Sequence, residues 1–435
     1  MSAGTPPGTP PEATDAQPLA GGAGEQPLTN RAGEQPLAGR EGEQPLAGVR
    51  VIDLTRILSG PFCAMLLGDL GADVVKIEPP GRGDHIRGQG AIVDGLSWYF
   101  ASFNRNKRSL TLDLRAPEGR AVLERLLADA DVLTENFRPG VLDEMGLTKA
   151  RLEEINPRLV VASVNGYGSE GPYRDRPAFD FIAQAMSGFM ATNGTAETGP
   201  MRAAAPLTDL IAGLYAALGT VSALHARETT GAGQRVEASM MMSTMSMLAY
   251  LTASQLATGA PLAPSGNDHP VASPYGLFHA ADGPVAVAPS TTPVLRRFLG
   301  ELGLEALLDD PRFDTNAKRV ERRAELGAMI DERMGADTQA NWIARLNRAG
   351  VPCGRVQSLA EALDDPQVAA QEMVLDVDHP GHGRVRMTGF PLKLSATPCR
   401  LRRPAPDLGA DTDAVLAEAG YDAETIAHLR TAGIV

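Results

Sequence analysis

The stretch VRVIDLTRILSGPFCAMLLGDLGADVVKIEPP, residues 49–80, predicts one strand, one helix and a second strand. Residues 49–54 are a short β-branched run of the kind found in buried strands. Phe62, Leu66 and Leu70 then recur at a spacing of four, which predicts a helix over residues 60–70 that Gly71 ends. Residues 73–77 (DVVKI) predict the next strand, and Pro79 stops it.

The same alternation continues outward from this unit. Further strands are predicted at residues 109–114, 131–134, 159–164 and 235–239, and helices at residues 118–130 and 207–227. Strands that alternate with helices at this spacing indicate an α/β protein with a mainly parallel sheet.

The second half of the chain changes character. Residues 274–288 predict two short strands around the turn at residues 281–283, helices dominate from residue 292 to about 363, and residues 404–435 predict a capped helix. Residues 240–256 are rich in Met, Ser and Thr and predict a buried helix.

The first 45 residues differ from the rest. They are rich in Pro, Gly, Ala, Glu, Thr and Gln, and the pentapeptide GEQPL recurs in them with a period of nine, beginning at Gly24, Gly33 and Gly42. Such a segment cannot bury enough apolar surface to fold, so we expect residues 1–45 to be disordered.

Composition excludes several classes of protein. The 435 residues carry a formal net charge of −13, which argues against a dedicated nucleic-acid binder. The three cysteines cannot form a disulfide framework. We find no run of about 18 uncharged apolar residues and no signal-peptide layout, so a cytoplasmic protein that does not contact membranes is expected.

The common catalytic fingerprints are missing. Gly81-Arg82-Gly83 with Gly88 lacks the GxGxxG spacing that opens a helix after a strand, so we interpret the dinucleotide fingerprint as absent. Neither a P-loop nor a GxSxG elbow occurs in the sequence. The close pair His379 and His382 flanks Pro-Gly and lacks the helical spacing of a metal site. We therefore expect chemistry that uses neither a metal nor a nicotinamide.

Eleven short segments stand out in series instead. They are VIDLTRILSGP (51–61), GADVVKIEPPGRGD (71–84), FNRNKRSLTLDL (103–114), ENFRPG (135–140), GYGSEGP (166–172), FD (179–180), DLIAG (209–213), TGAGQ (230–234), GNDHPVASPY (266–275), GVPCGRV (350–356) and PDLG (406–409). In this order they resemble the class III CoA-transferase family, the formyl-CoA and carnitine CoA-transferase type, which also contains α-methylacyl-CoA racemase. The resemblance covers about residues 45–435.

The resemblance implies an interlocked homodimer, each chain with a large Rossmann-like domain and a smaller α+β domain. On this reading residues 46–228 begin the large CoA-binding domain, residues 229–345 hold the linkers and the small domain, and residues 346–435 return to the large domain. Such a dimer would have no stable free monomer.

The resemblance also implies where CoA binds. The expected contacts are Leu58, Ser59, Leu112, Arg115, Asn136, Phe137, Arg138 and Val141. Arg115 stands where formyl-CoA transferases carry a Lys, so that cation is retained. Glu144 and Pro79 replace basic or contacting residues of some relatives, and Arg82, Arg87 or Arg138 could compensate.

The expected nucleophile is Asp209, which closes the run AAAPLTD and opens the long helix before the TGAGQ turn. In the transferases this carboxylate attacks the thioester. A helix N-terminus favours an ionised carboxylate, and an ordinary capping Asp has the same local sequence.

Two further carboxylates need weighing. Asp180 matches an acidic position bordering the active site in the transferases, and helix capping is an equally good interpretation. The racemases carry His-Asp there, whereas this chain has Phe179 in place of the His, which counts against a two-base racemase. Glu197 lies on the loop between the two aspartates and is interpreted as a solvated residue.

The sequence therefore predicts a CoA-transferase that moves CoA from an acyl-CoA donor to a carboxylic acid acceptor through a covalent enzyme carboxylate. The alternatives are an α-methylacyl-CoA racemase or epimerase and a non-catalytic CoA-binding protein. The sequence does not name donor or acceptor, although several relatives use dicarboxylic acyl-CoAs such as succinyl-CoA.

Overall fold

The computed structural model describes residues 43–435. Its strands are β1 Arg50–Asp53, β2 Asp73–Glu78, β3 Ile92–Val93, β4 Leu96–Ser97, β5 Lys107–Thr111, β6 Val132–Glu135, β7 Val160–Asn165, β8 Gly194–Thr195, β9 Gly199–Pro200, β10 Arg235–Ser239, β11 Gly276–Ala280, β12 Gly283–Val287, β13 Cys353–Arg355, β14 Val374–His379 and β15 Gly383–Thr388. Most of the segment predicted to be disordered, residues 1–42, lies outside the residues that the structure describes. Residues 43–45 are folded, and Gln44 Nε2 donates to the carbonyl of Asp69 at 2.8 Å.

The helices follow the strands in alternation through the first half of the chain. They are α1 Ser59–Asp69, α2 Trp98–Asn104, α3 Pro117–Ala128, α4 Val141–Glu144, α5 Lys149–Ile155, α6 Asp180–Met186, α7 Phe189–Thr192, α8 Leu207–Thr230, α9 Met240–Met247, α10 Ala249–Thr258, α11 Thr292–Glu301, α12 Asn316–Glu321, α13 Arg323–Met334, α14 Gln339–Arg348, α15 Leu359–Leu363, α16 Pro366–Ala370, α17 Thr412–Glu418 and α18 Ala423–Thr431. Two 3₁₀ turns add His85–Gly88 and Glu305–Leu308.

The main sheet is parallel and has the strand order β10-β7-β6-β1-β2-β5. The chain adds β2 and β5 on one side of β1, and β6, β7 and β10 on the other. The strand order therefore reverses beside β1, and the loops after β1 and β6 diverge. A crevice opens at such a switch point, at the carboxyl ends of the strands.

Both faces of this sheet are covered, because successive side chains point to opposite sides. Val51 and Val132 face α1 and α8, whereas the adjacent Ile52 and Leu133 face a second layer that includes residues of α3, α17 and α18. This arrangement explains why the central strands are nearly continuous apolar runs.

Helix α8 is long and apolar enough to cross a membrane by length and composition. Here it packs against α1, α9, β7 and β10, and its most apolar window is 44% buried. It ends at Gly231, whose φ of 72° is the left-handed cap conformation that glycine adopts without strain. The helix thus runs three residues beyond the predicted end.

A second core forms around the antiparallel sheet β11-β12-β13, with Phe298, Phe313 and Trp342 buried against it. Strand β13 belongs to this sheet because Cys353 pairs with Val287. The segment predicted to return to the large domain from residue 346 therefore still contributes to the small sheet at residues 353–355. Conversely β10, predicted within the linker region, is the edge strand of the large sheet.

Two further predictions need correction. The predicted buried helix at residues 240–256 is two helices, and α10 has no buried residue; the side chain of Leu256 is 82% exposed. The single helix predicted in residues 404–435 is the pair α17 and α18, which the Gly420 turn separates.

Candidate active site

The loop between β1 and α1 forms one wall of the crevice at the switch point. Its backbone is held from the other wall by Asn136, which follows β6: the amide of Arg56 donates to Asn136 Oδ1 at 2.8 Å, and Asn136 Nδ2 donates back to the carbonyl of Arg56 at 2.7 Å. Arg56 also places its guanidinium 5.0 Å from the ring centroid of Phe137. Asn136 and Phe137, both expected to contact CoA, thus fix the loop that carries Leu58 and Ser59.

A fully buried ion pair lies beneath this loop. Lys107 Nζ on β5 donates to Asp53 Oδ2 at 2.9 Å, and Thr134 donates to Asp53 Oδ1 at 3.0 Å. Burial raises the pKa of Asp53, but Lys107 and Lys76 outweigh burial and hold that pKa below its usual value. Burial lowers the pKa of Lys107 to about 8. Asp53 is therefore locked as a carboxylate beside its cations.

A second buried pair fixes the strained part of the loop. Lys76 Nζ lies 3.0 Å from Asp84 Oδ2, and both side chains are inaccessible to solvent. Asp84 accepts the backbone N–H of Ile57, whose φ is 69°, in the left-handed region that a β-branched residue rarely adopts. Lys76 also donates to the carbonyl of Thr55 at 2.8 Å. The pair thus holds an unfavourable backbone conformation in place.

These lysines were inside the motifs quoted above, but their role was missed. The usable signal was a lysine in the middle of an apolar strand, because a lysine is almost never fully buried without a partner. Lys76 in DVVKI fits that description, whereas Lys107 opens β5 between Asn106 and Arg108 and gave no such signal.

Asp209 lies in the first turn of α8 and is partly buried. Burial raises its pKa, the nearby charge of Asp180 raises it further, and a hydrogen bond with Ser59 works in the opposite direction; the resulting pKa is about 7. A carboxyl group with this pKa is about half ionised at neutral pH. Perturbed carboxyl groups of this kind, set in a cleft, are typical of functional sites.

Asp180 is almost completely buried and is held by three hydrogen bonds. Its Oδ1 accepts the backbone N–H and the hydroxyl of Thr208, both at 2.9 Å, and its Oδ2 accepts Gln184 Nε2 at 2.7 Å. Asp180 therefore caps the N-terminus of α8 from a different helix. The structure thus shows the capping role, and it places Asp180 against Thr208, the residue before Asp209.

Helix α1 crosses α8 at close range beside Asp209. A Cβ on Gly213, one turn after Asp209, would lie 2.5 Å from the carbonyl oxygen of Ser59. Only glycine permits this approach, which brings Ser59 to the side chain of Asp209. The position of the carboxylate thus depends on the same loop that the buried ion pairs hold.

Two adjoining cavities contain all the residues expected at the site except Asp180. The first, of about 120 Å³, is lined by Asp209 with Leu58, Ser59, Asn136, Phe137 and Arg138. The second, of about 270 Å³, is lined by Leu112, Arg115, Phe137 and Val141. Arg56 and Phe137 line both cavities, so the two spaces meet at these side chains.

Some of the arginines expected to contact the CoA phosphates are free of ion pairs, and another is already bound to a carboxylate. Arg115 and Arg82 line the second cavity, and within residues 43–435 neither forms an ion pair. Arg87, suggested as a substitute cation, is engaged: it binds Glu78 through two hydrogen bonds of 2.8 and 2.7 Å and stacks on Phe100. Arg87 is therefore a structural residue.

Two other candidates from the sequence, Glu197 and the histidine pair, line neither of these cavities. Glu197 is exposed and lines neither cavity, in keeping with its interpretation as a solvated residue. His379, His382 and Asp407 cluster, but each ring nitrogen already faces an oxygen acceptor: those of His379 face the carbonyls of Pro380 and Ala405, and those of His382 face the Asp94 carbonyl and the Asp407 carboxylate. Each ring nitrogen is thus within hydrogen-bond distance of an oxygen atom of the protein.

The chain is similar to known proteins over most of its length. The family model described as CoA-transferase family III matches residues 46–412. An acetyl-CoA:oxalate CoA-transferase of Acetobacter aceti is 40% identical over 79% of this chain and 88% of its own, and the human succinyl-CoA:glutarate CoA-transferase is 34% identical over 89% of each.

Among solved structures, a CAIB/BAIF family protein from Brucella suis superimposes with a TM-score of 0.77. It is 36% identical, and the match covers 87% of this chain and 100% of that one. The fold, the crevice at the switch point and these relatives lead to one conclusion. The chain belongs to CoA-transferase family III, enzymes that use CoA thioesters as substrates.

Proposed function

We propose that this enzyme moves CoA from an acyl-CoA donor to a carboxylic acid through covalent intermediates on Asp209. The observation that carries the proposal is the placement of Asp209: a partly buried carboxyl group with a pKa of about 7, in the first turn of α8 and at the wall of a cavity. A carboxylate with little hydration is a competent nucleophile toward a thioester.

In the first half of the reaction, an Asp209 oxygen attacks the thioester carbonyl. The carbon–sulfur bond breaks, CoA thiolate leaves, and the acyl group becomes a mixed anhydride with Asp209. The thiolate then attacks the Asp209 carbonyl carbon. This step releases the donor acid as a carboxylate and leaves CoA bound to Asp209 as a thioester.

The second half reverses these steps with the acceptor. The acceptor carboxylate attacks the Asp209 thioester, CoA thiolate leaves, and a new anhydride joins Asp209 to the acceptor. The thiolate attacks the acceptor carbonyl, so that acceptor-CoA forms and the Asp209 carboxylate is regenerated. Each developing oxyanion needs hydrogen-bond donors, and the free N–H groups at the N-termini of α1 and α8 are the candidates.

The second cavity suits the phosphate end of CoA. Arg82 and Arg115 supply two guanidinium groups without an ion pair among the described residues, and guanidinium groups bind phosphate through paired hydrogen bonds. Phe137 joins this cavity to the one at Asp209, so a single extended ligand can occupy both.

The proposal includes an interlocked homodimer built on a Rossmann-like large domain. The parallel sheet with its switch point supports the domain type. The dimer is supported by an exposed apolar surface on α8 and α10, where Leu214, Leu218, Tyr250 and Leu256 contact solvent in the single chain. Patches of this kind mark contact surfaces.

For the substrates, we include small dicarboxylic acids and their CoA thioesters. The relatives at 34–40% identity act by name on oxalate, glutarate, succinyl-CoA or D-citramalate. The four arginines that line the Asp209 cavity, Arg56, Arg138, Arg174 and Arg176, favour anionic substrates there.

A racemase is the less favoured function on the same fold. Phe179 lines the Asp209 cavity where the racemases carry a histidine, and none of the histidines in residues 43–435 lines that cavity. Two-base proton transfer would lack its second base. Exchange of the α-hydrogen of a 2-methylacyl-CoA in deuterated water would support the racemase.

Intact-mass spectrometry tests the transferase directly. We would incubate the protein with a panel of acyl-CoAs, treat samples with hydroxylamine, and map the modified peptide. A donor-dependent, hydroxylamine-sensitive adduct on Asp209 is expected, and Asp209→Asn is the control that should show none. An adduct on Asp180 or Glu197, or no adduct with any donor, would contradict the proposal.

A further inference from the structure

The cavity at Asp209 has an unusual charge balance. It is lined by four arginines and by one carboxylate, Asp209 itself. Three of the arginines, Arg56, Arg138 and Arg176, form no ion pair among residues 43–435, and Arg174 pairs only with its exposed neighbour Asp175 at 3.4 Å. A cavity with this surplus of guanidinium groups attracts a ligand with more than one negative charge.

Arg176 has the closer of the two ring contacts among these arginines, since Arg56 lies 5.0 Å from the ring centroid of Phe137. The Arg176 guanidinium lies 3.9 Å from the ring centroid of Tyr173, and Tyr173 packs edge-on against Tyr167 at 5.8 Å. The Tyr167 hydroxyl contacts Met186 Sδ on α6 at 3.3 Å. Stacking on a ring occupies the face of a guanidinium and leaves the N–H donors on its edge free for a carboxylate.

The backbone around Arg176 is also fixed relative to the nucleophile. Its N–H donates to the carbonyl of Tyr173 at 2.9 Å, which closes a turn. Four residues later the chain reaches Asp180, whose carboxylate is bonded to Thr208, the residue before Asp209. Arg176 thus lies on an exposed loop four residues before the side chain that caps the helix of Asp209.

Arg56 and Arg138 lie toward the CoA side, whereas Arg174 belongs to the same segment as Arg176. Arg56 and Phe137 line both cavities, and Arg138 follows Phe137 in the chain. Ala178 and Phe179, two and three residues after Arg176, line the cavity that contains Asp209 and not the second one. Arg176 therefore approaches the space at Asp209 from the side away from the phosphate cavity.

We infer that Arg176 is the specificity-determining residue that binds the second carboxylate of a dicarboxylic acyl group or acceptor, while the first reacts at Asp209. Tyr173 is the positioning residue that orients the guanidinium. The inference rests on the proposed transferase function and names the contact that selects the substrate class.

The test compares paired acceptors of equal chain length: succinate against butanoate, and glutarate against pentanoate. In a ping-pong mechanism, kcat/KM for the acceptor reports only the second half-reaction, so the donor can be whichever acyl-CoA gives the Asp209 adduct. Arg176→Gln should lower kcat/KM for the dicarboxylic acids by about 10- to 100-fold, with the loss in KM, and change that for the monocarboxylic acids by about 2-fold or less.

Three further variants sharpen the result. Arg176→Lys keeps the charge but not the planar fork, so it should recover part of the loss. Tyr173→Leu should raise KM for the dicarboxylic acids several-fold at unchanged kcat. Arg296→Gln is the control. It removes an exposed arginine of α11 that pairs with Glu305, and it should leave kcat/KM for both acceptor classes unchanged.

Two results would overturn the inference. The first is an equal effect of Arg176→Gln on kcat/KM for both acceptor classes. The second is a loss confined to kcat, with KM for the dicarboxylic acids unchanged. This second result can be measured even if the enzyme does not turn over monocarboxylic acids. Absence of an Asp209 adduct in the wild-type enzyme would instead refute the transferase function itself. The two failures are therefore distinguishable.

Discussion

Asp53 and Asp209 are both carboxyl groups withdrawn from water near the carboxyl edge of one sheet, and their surroundings are opposite. Asp53 has two buried lysines and two threonine hydroxyls against it, and its pKa lies below the usual value. Asp209 has a second carboxylate nearby, and its pKa rises to about 7. Burial penalises both anions; the neighbouring charge decides the outcome.

The comparison separates a structural charge from a reactive one. A buried carboxylate with cations and hydrogen-bond donors has little reason to react, because its charge is already neutralised. A buried carboxylate beside another negative charge lacks that compensation, and covalent bonding to an acyl group would remove its charge. The following predictions test this difference, starting with the largest expected effect.

Asp209→Asn should abolish the transfer activity. The amide is a poor nucleophile, so we expect a loss of about 10³-fold or more in kcat/KM, measured by acyl-CoA exchange followed by chromatography. Circular dichroism would confirm that the fold is intact. Activity within about 10-fold of wild type would remove Asp209 from the reaction.

Lys107→Met should have the largest effect on stability. It leaves Asp53 buried without its closest cation, and the removal of one partner of a buried pair costs about 3–5 kcal/mol. Denaturant unfolding measures the loss. Arg151→Met, which breaks exposed pairs with Glu124 and Glu154, is the matched control and should change the free energy of unfolding far less. The double variant Asp53→Asn with Lys107→Met should recover part of the loss.

Asp209→Asn should stabilise the folded protein at pH 8. The pKa of Asp209 is higher in the folded protein than in the unfolded chain. Between about pH 4 and pH 7 this carboxyl group is therefore ionised in the unfolded chain and still protonated in the folded protein. Its unfavourable contribution to the free energy of unfolding grows over this pH range. The gain is on the order of 3 kcal/mol at pH 8 and vanishes below about pH 4. Thermal unfolding of both proteins across this pH range decides the matter; an equal stability at every pH would contradict the raised pKa.

Gly213→Ala should disturb the contact that joins the two regions. The added methyl group would lie 2.5 Å from the Ser59 carbonyl oxygen, and overpacking of this kind costs about 1–3 kcal/mol. Gly327→Ala in α13 is the matched control, because nothing lies within 4 Å of its added Cβ; helix propensity should stabilise it by up to about 1 kcal/mol. Similar effects of both changes would show that the crossing is not tight.

Asp180→Asn should give the smallest effect, a change in pH dependence. It removes the negative charge that adds to burial in raising the pKa of Asp209, so the acidic limb of the rate of adduct formation should move to lower pH. Asn can still accept from Thr208. An unchanged acidic limb would mean that the Asp180 charge does not act on Asp209.

The sequence allowed the central architecture to be predicted, because the strands and helices depend on local patterns; the role of Asp209 as nucleophile stays a prediction. The β-branched runs specify the buried strands, and the small residues before Asp209 mark the start of a helix. The expected CoA contacts at Leu58, Asn136 and Arg115 lie on loops after sheet strands, where strand order determines their meeting.

The contacts that the sequence did not predict join residues that are far apart in the chain. A lysine inside a strand indicates a buried partner, but neither its spacing nor its neighbours identify Asp53, 54 residues away, as that partner. Asp180 caps a helix that begins 27 residues later, which a local capping pattern cannot reveal. The exposed α10 was mispredicted because its apolar composition alone does not say what covers it.

The C-terminal helices have a consequence for synthesis of the protein. The edge strand β5 is completed by residues from the far end: Gly409 donates to the Ser109 hydroxyl across 300 residues, and the N–H of Asp113 donates to the carbonyl of Ile434. At about 5–20 residues per second, a ribosome takes about 15–60 s to make the intervening 300 residues. Throughout that interval the edge at β5 and the sheet face that α17 and α18 cover lack these contacts, so the large sheet can be completed only at the end of synthesis.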